Sequence, residues 1–301
     1  MYFAGIDAHA KYLRIAVVNK AGGAVVGETT IKSRDVEGLC AFLSRFQPIE
    51  VVVETCPFWP WIQEALEKTG IPFRLAHAKQ LRAIAQNAQK NDAVDGRLLA
   101  RMLATGLIPQ AMPRSRQQRE WLRLLRHRVW LVRLRTMTVN RIHAQLHQTG
   151  LTLPRERLLR KEGVRFLKET AWPLLTPEQR RIVRTHLRII TSLTRMIRGL
   201  DRIIRQTGQE NAHVQRLCTI PGIGSFWGLL LVAEILPVNR FSSAAKFVSY
   251  CGLAPRTASS GGHTWHGALP ADANRWVRWA LISATATHVR RCPDTEFGRA
   301  Y

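Results

Sequence analysis

Acidic residues are scarce in this chain. Its 301 residues hold 21 Asp and Glu against 45 Lys and Arg, a formal net charge of +24. Such an excess calls for a polyanionic partner, with nucleic acid the first expectation. Cysteine is sparse too: Cys40, Cys56, Cys218, Cys251 and Cys292 are scattered, odd in number and never spaced C-x₂-C. That excludes a disulfide framework and the usual zinc patterns, and fits a reducing compartment. No apolar run approaches the roughly 18–20 residues needed to span a bilayer, and Asp7 and Lys11 interrupt the N-terminus where a signal peptide would be apolar. No basic amphipathic helix with a large apolar face lies near a terminus, so membrane attachment is not expected. A soluble, cytoplasmic, nucleoid-associated protein is the expectation.

What is present is enough apolar material for real cores. The hydrophobic fraction is 46%, against a mainly disordered chain, and the length suits two or three domains at roughly 100–150 residues each. The charge divides the chain unevenly: residues 1–110 carry net +3, residues 111–210 net +16 and residues 211–301 net +5. The middle excess is almost all arginine, whose planar fork suits phosphate oxygens.

That middle third reads as long helices. Leu122, Leu125, Val129, Val132, Thr136, Val139, His143 and Leu146 alternate spacings of three and four, a coiled-coil seam. Arg123, Arg126, Arg128, Arg133, Arg135 and Arg141 occupy the other faces. A second helix starts at Thr176-Pro177-Glu178-Gln179, with Thr176 as cap, Pro177 first in the helix and Gln179 closing a capping box. A helix clothed in arginine is ordinarily a solvated face. Acidic partners at i±4 are too few to neutralise this one, so it reads as an arm that tracks a DNA or RNA backbone.

In the first third, residues 2–7, 13–18 and 24–31 read as a three-strand meander. Helix 36–46, strand 51–54, helix 59–69, strand 72–76 and helices 80–88 and 93–104 follow. Antiparallel strands followed by alternating β and α predict a mixed sheet with helices on both faces. Asp7 ends the first strand, Glu54 ends the fourth, and Asp92 and Asp95 share one face at a helix start. Singly, each acid has an ordinary explanation: Asp7 capping a turn, Glu54 pairing with an arginine, Asp92 and Asp95 as a cap and a first-turn charge. Jointly they form the hard oxygen cluster that Mg²⁺ or Mn²⁺ needs for phosphodiester chemistry.

Gly5-Ile6-Asp7, Val53-Glu54-Thr55 and Lys90-Asn91-Asp92-Ala93-Val94-Asp95, in that order of elements, resemble the RuvC-like (RNase H fold) domain of the IS110-family, or DEDD, transposases. The resemblance places the family's metal-binding tetrad on Asp7, Glu54, Asp92 and Asp95, and its preceding lysine on Lys90. In the last third, Ile220-Pro221-Gly222-Ile223-Gly224 ahead of an apolar helix looks like a helix-hairpin-helix turn, whose backbone N–H groups can hold a phosphate. Phe241–Phe247, Tyr250–Arg256 and Ser259-Ser260-Gly261-Gly262 resemble the family's transposase domain, where the serine before glycine is the nucleophile. That role falls on Ser260; composition alone makes this stretch an ordinary loop, and its neighbours His263 and His266 read as solvent-exposed. Where the family has Lys-x-Gly-Asn, this chain has Leu269–Asn274. Asn274, Arg275 and Arg278 are retained in type, while the lysine and glycine are lost.

The expectation is therefore three domains: RuvC-like 1–110, Arg-rich helical or coiled-coil 111–210, and a mainly helical serine transposase domain 211–301. Candidate nucleic-acid contacts are Lys90, Arg123, Arg126, Arg133, Gly222, Gly224, Arg256, Arg275 and Arg278. The resemblance implies cutting and rejoining of donor and target DNA through a phosphoserine, guided by a noncoding bridge RNA. It also implies a homo-oligomer, dimer or tetramer, in which the nuclease-like and serine domains of different protomers combine. The alternatives are a RuvC-like Holliday-junction nuclease using metal-activated water and a non-catalytic nucleic-acid scaffold. A sugar-kinase-like ATPase also begins Gly-Ile-Asp, but in this chain no second Gly-rich phosphate turn follows where that fold would need it.

Overall fold

The computed structural model describes residues 1–20, 23–84, 92–154 and 157–300, without the side chains of residues 82–84 and 92–95. The chain divides into two compact units, Met1–Pro113 and Arg114–Tyr301.

The first unit opens with the meander β1 (Tyr2–Ala8), β2 (Tyr12–Asn19) and β3 (Val25–Lys32). Then come α1 (Val36–Leu43), β4 (Ile49–Glu54), α2 (Trp59–Thr69), β5 (Phe73–Ala76), α3 (Ala78–Ile84), α4 (Asp92–Ala104) and the short β6 (Gln110–Ala111). Local chemistry sets the boundaries. Asp35 caps α1 by accepting from the Gly38 N–H at 2.8 Å. Pro60 sits in the first turn of α2, and Gly70, with φ 70°, ends it in the left-handed conformation.

The sheet order is β3-β2-β1-β4-β5-β6. β2 runs antiparallel to both β1 and β3, while β4 and β5 continue parallel from β1. This is the mixed sheet that the order of elements predicts, and it fits the RNase H-like domain that the resemblance implies. β6, two residues long and antiparallel to β5, is an addition that no periodicity in so short a segment announces. β4 lies in the middle of the sheet and is buried on both faces, which its Val51-Val52-Val53 run requires. One face packs Ala4, Ile6, Val51 and Val53 against Leu39 and Leu43 of α1 and Ile62 and Leu66 of α2. The other packs Phe3, Val18 and Val52 against Leu99, Ala100 and Leu103 of α4.

The second unit contains α5 (Arg116–Gln148), α6 (Lys161–Phe166), α7 (Trp172–Leu174), α8 (Pro177–Gln209), α9 (Ala212–Cys218), α10 (Ser225–Ile235) and α11 (Ala244–Cys251). The ribbon β7 (Thr257–Ser260) and β8 (His263–His266) follows, then α12 (Arg275–Arg291) and α13 (Glu296–Ala300). α5 and α8 each begin with a complete capping box, Ser115 with Gln118 and Thr176 with Gln179. The two helices lie antiparallel. Leu125 clusters with Ile204, Leu131 with Leu193 and Ile197, and Ile142 and Leu146 with Val183 and Ile190.

α8 of the same chain thus covers the apolar stripe of α5. Of the predicted seam, Leu122, Leu125, Val129, Val139, His143 and Leu146 are buried, whereas Val132 is half-buried and Thr136 exposed. Leu131 and Ile142 are buried as well, so the stripe is wider than a strict two-helix seam. α10 is apolar all round except for Glu234 and is buried from Gly228 to Glu234. Among the described residues no helix is long and apolar enough to cross a membrane.

Candidate functional site

Asp7 and Glu54 end up side by side because β1 and β4 are neighbouring parallel strands with Ile6 opposite Val53. Side chains alternate along a strand, so Asp7 shares its face with Phe3 and Gly5, and Glu54 shares its face with Val52. Phe3 and Val52 both pack against α4, which puts the two carboxylates on the α4 side of the sheet. α4 runs antiparallel to β1: Gly96 lies against Gly5, and Leu103 clusters with Phe3. Its first turn, which begins at Asp92, is therefore over the Asp7 end of β1. The side chains of Asp92 and Asp95, and all of Lys90, lie outside the described residues.

Two further observations bear on the carboxylates. His9, just past the end of β1, brings Nε2 to 2.8 Å from Asp7 Oδ2, with the Asp7 side chain only 18% exposed. Cys56, just past β4, has its thiol pKa pushed up. Burial is the main cause and backbone N–H groups of Phe58 and Trp59 oppose it, while the charges of Glu54 and Asp7 add to the rise. Both carboxylates act on one thiol, as neighbours must. Among the described residues no three metal-ligating groups converge. As a donor set, two carboxylates on one sheet face, with two more acids opening the covering helix, suit a hard cation such as Mg²⁺ or Mn²⁺.

Ser260 lies at the tip of the β7–β8 ribbon rather than in the irregular loop its composition suggests. The connection is two residues, Gly261 and Gly262, at φ 58° and 81°. A two-residue hairpin turn of this type needs positive φ at both positions, which glycine adopts without cost from a Cβ. The register pairs Ser260 with His263, Ser259 with Thr264, Ala258 with Trp265 and Thr257 with His266. The ribbon's two faces therefore differ. On one, Ser259 Oγ donates to the His263 carbonyl at 3.3 Å and lies 3.2 Å from Thr264 Oγ1, and Thr257 Oγ1 lies 3.3 Å from His266 Nδ1. On the other, Ser260 is exposed beside His263, and among the described residues its hydroxyl has no hydrogen-bond partner. His263 and His266 are both exposed, as their loop-like composition suggests.

The predicted nucleic-acid contacts separate into two groups. Arg123, Arg133, Arg256 and Arg275 are exposed, Arg123 with an ion pair to Glu120 at 2.6 Å. Arg126, exposed but bonded, and Arg278, half-buried, are instead engaged with other parts of the fold. Arg126 Nη2 donates to Glu234 Oε1 at 2.8 Å and its guanidinium lies over Trp276. Arg278 donates to the carbonyls of Cys251 and Pro270 at 3.4 and 2.5 Å. Gly222, with φ 98°, presses against α12 so closely that a Cβ would strike the Ala284 carbonyl, whereas Gly224 caps α10 facing open space.

Two residues that the sequence did not single out stand out. Glu234, 3% exposed, receives Arg114 at 2.5 Å, Arg126 at 2.8 Å and Asn274 Nδ2 at 2.9 Å. Its signal was present as the one charge in an otherwise apolar helix. His9 follows Asp7 two residues on, just past the end of β1, close enough to bond its carboxylate.

Two family models and several curated relatives match the chain. Residues 4–151 match the DEDD transposase family of IS110, and residues 214–301 match the family described as Transposase IS116/IS110/IS902. The transposase for insertion sequence element IS1328 of Yersinia enterocolitica is 25% identical over 260 residues, 84% of this chain and 75% of that one. The transposase for IS1111A of Coxiella burnetii is 24% identical over 247 residues, 81% of this chain and 68% of that one. Among solved structures, T. thermophilus RuvC in complex with a Holliday junction substrate aligns with a TM-score of 0.30 at 15% identity, over 37% of this chain and 99% of RuvC. The two family matches lie in the two halves of the chain, each over the segment that carries its expected motif, and the chain belongs to the IS110 family of insertion-sequence transposases.

Proposed function

We propose that this transposase cuts and rejoins DNA through a phosphoserine on Ser260, with Asp7, Glu54, Asp92 and Asp95 as its metal-binding cluster. The observation that supports this most directly is the shared sheet face of Asp7 and Glu54 beneath the opening turn of α4. The uncommitted hydroxyl of Ser260 at an exposed ribbon tip supports the other half. Ser260 Oγ attacks the phosphorus, the bond from phosphorus to one deoxyribose oxygen breaks, and the serine proton leaves as that oxygen is protonated. The phosphoserine ester keeps the energy of the broken diester, so a second deoxyribose hydroxyl can displace the serine without ATP. When bound by the carboxylates, Mg²⁺ or Mn²⁺ would supply positive charge against the phosphate oxygens.

The exposed arginines of α5 and α8 suit the phosphate backbones of donor DNA, target DNA and a noncoding bridge RNA. With specificity carried by base pairing, the protein itself needs few base contacts. A homo-oligomer, dimer or tetramer, completes the reading, in line with exchange between two DNA partners.

Covalent trapping tests it. The full chain is incubated with Mg²⁺, the noncoding RNA flanking its gene, and labelled donor and target DNA, and products are run on a denaturing gel. The expected result is a protein–DNA adduct that is lost in both Ser260→Ala and Asp7→Ala. Cleavage without an adduct, unchanged in Ser260→Ala, would instead make the enzyme a hydrolytic nuclease of the Holliday-junction type.

A further inference from the structure

We infer that Trp265 is a positioning residue, a stacking platform for the DNA base next to the phosphate that Ser260 attacks. The inference rests on the proposed role of Ser260. The register puts Trp265 opposite Ala258, so alternation places Ala258, Ser260, His263 and Trp265 on one face of the ribbon. Trp265 is 56% exposed and has no aromatic or cationic neighbour among the described residues. The other tryptophans of this unit are either held by such a neighbour or packed on the core. Trp227, Trp276 and Trp279 interlock edge to face, Arg126 covers Trp276, Arg184 covers Trp172, Trp130 stacks with His127, and Trp121 is half-buried against the core. A large apolar ring held out on an exposed, two-stranded ribbon costs solvation unless something covers it.

The occupant follows from what surrounds it. Diagonal neighbours on one ribbon face sit about 7–8 Å apart, the scale on which a base lies from its own flanking phosphate. Arg256, exposed just before β7, supplies a cation for the next phosphate along. The opposite face, by contrast, has its hydroxyls and the His266 imidazole bonded among themselves. A base with its π-face on the indole would fix the strand along the ribbon and hold one phosphate at Ser260 Oγ. Such stacking does not depend on which base is present, as it must not where pairing with an RNA chooses the sequence.

The test uses the full chain with its flanking RNA and donor DNA, with 5-iodouracil at successive positions across the crossover in the DNA in one arm and in the RNA in a second. Irradiation links an iodouracil to an aromatic ring stacked upon it, and mass spectrometry of the tryptic peptides locates the link. We expect a link to Trp265 from the nucleotide flanking the attacked phosphate, present also in Ser260→Ala. Adduct formation should fall about 5- to 100-fold in Trp265→Ala and recover in Trp265→Phe. Links only to other segments, links only from iodouracil placed in the RNA, or an unchanged adduct rate in Trp265→Ala would overturn the inference. Strand cleavage that survives Ser260→Ala while the Trp265 link persists would overturn the serine mechanism and leave the base contact standing.

Discussion

Gly5 and Gly96 meet backbone to backbone, β1 against α4. A Cβ on Gly5 would overlap the Gly96 carbonyl oxygen and lie 2.6 Å from the Ala100 nitrogen and 2.8 Å from Leu99 Cβ. Two of those three are backbone atoms, so the contact cannot be relieved by a side-chain rotation. The first glycine of Gly5-Ile6-Asp7 therefore sets how near α4, and with it Asp92 and Asp95, comes to the strand that holds Asp7.

Gly5→Ala should consequently move the helix and disable the cluster. Overpacking of this kind costs about 1–3 kcal/mol, and the thermal midpoint should fall by several degrees, with DNA cleavage falling more than stability accounts for. Gly96→Ala is the control. Its Cβ would meet Gly5 O at 3.5 Å and Ala16 Cβ at 3.8 Å, ordinary contacts, and alanine gains up to about 1 kcal/mol over glycine within a helix. Differential scanning calorimetry of both variants checks the contrast; equal destabilisation would refute the close-approach argument.

Adjacent serines should behave unlike each other. Ser260→Ala is expected to abolish the covalent DNA adduct while leaving DNA binding intact, since among the described residues its hydroxyl has no hydrogen-bond partner. Ser259→Ala removes contacts to His263 and Thr264 on an exposed ribbon, worth at most about 0.5–1.5 kcal/mol each. Its adduct should persist. Gel assays on the two variants decide between them, and an adduct lost only in Ser259→Ala would move the nucleophile by one residue.

Glu234 is the stability hinge of the second unit. Its carboxylate, with the side chain 1% exposed, joins Arg114 and Arg126, and its neighbour Asn274 caps α12 by accepting from the Trp276 and Val277 N–H groups. Removing one partner of a buried pair costs about 3–5 kcal/mol. The two arginines are about two-fifths exposed and can turn to water, so Glu234→Ala should fall at the lower end of that range. Denaturant unfolding measures it, and a loss below about 1 kcal/mol would mean the pair acts as a surface bridge.

A pH dependence should come from Glu28, whose pKa is lowered chiefly by its hydrogen bond with Arg97, with the attraction of the two charges adding to it. A depressed carboxyl pKa contributes stability above the unfolded-state value, and that contribution disappears as pH falls through the lowered folded value. Both side chains are well exposed, at 44% for Arg97 and 38% for Glu28, so solvent screening keeps the effect small. Midpoints of wild type and Arg97→Gln should differ at pH 7 and converge as the carboxyl protonates. A gap that stays constant down to pH 3 would show that Arg97 acts only by packing.

Local pattern made much of this protein legible. Alternation and β-branched runs located strands β1 to β5, and the trace Thr176-Pro177-Glu178-Gln179 located the start of α8 to the residue, because caps and periodicity are short-range properties. The mixed sheet followed from the order of elements, and the family from Gly-Ile-Asp, Val-Glu-Thr and Lys-Asn-Asp. Tertiary packing decided the rest. Nothing local distinguishes Arg126 and Arg278, which brace the fold, from Arg123 and Arg133, which face water; that depended on Glu234, Cys251 and Pro270 arriving from elsewhere in the chain. The mate of the α5 stripe was equally invisible, since an apolar seam is satisfied by any apolar seam, and here it is α8 of the same chain. A Ser-Ser-Gly-Gly stretch became a ribbon because β8 could pair with β7, and only that pairing put Ser260 and Trp265 on one face.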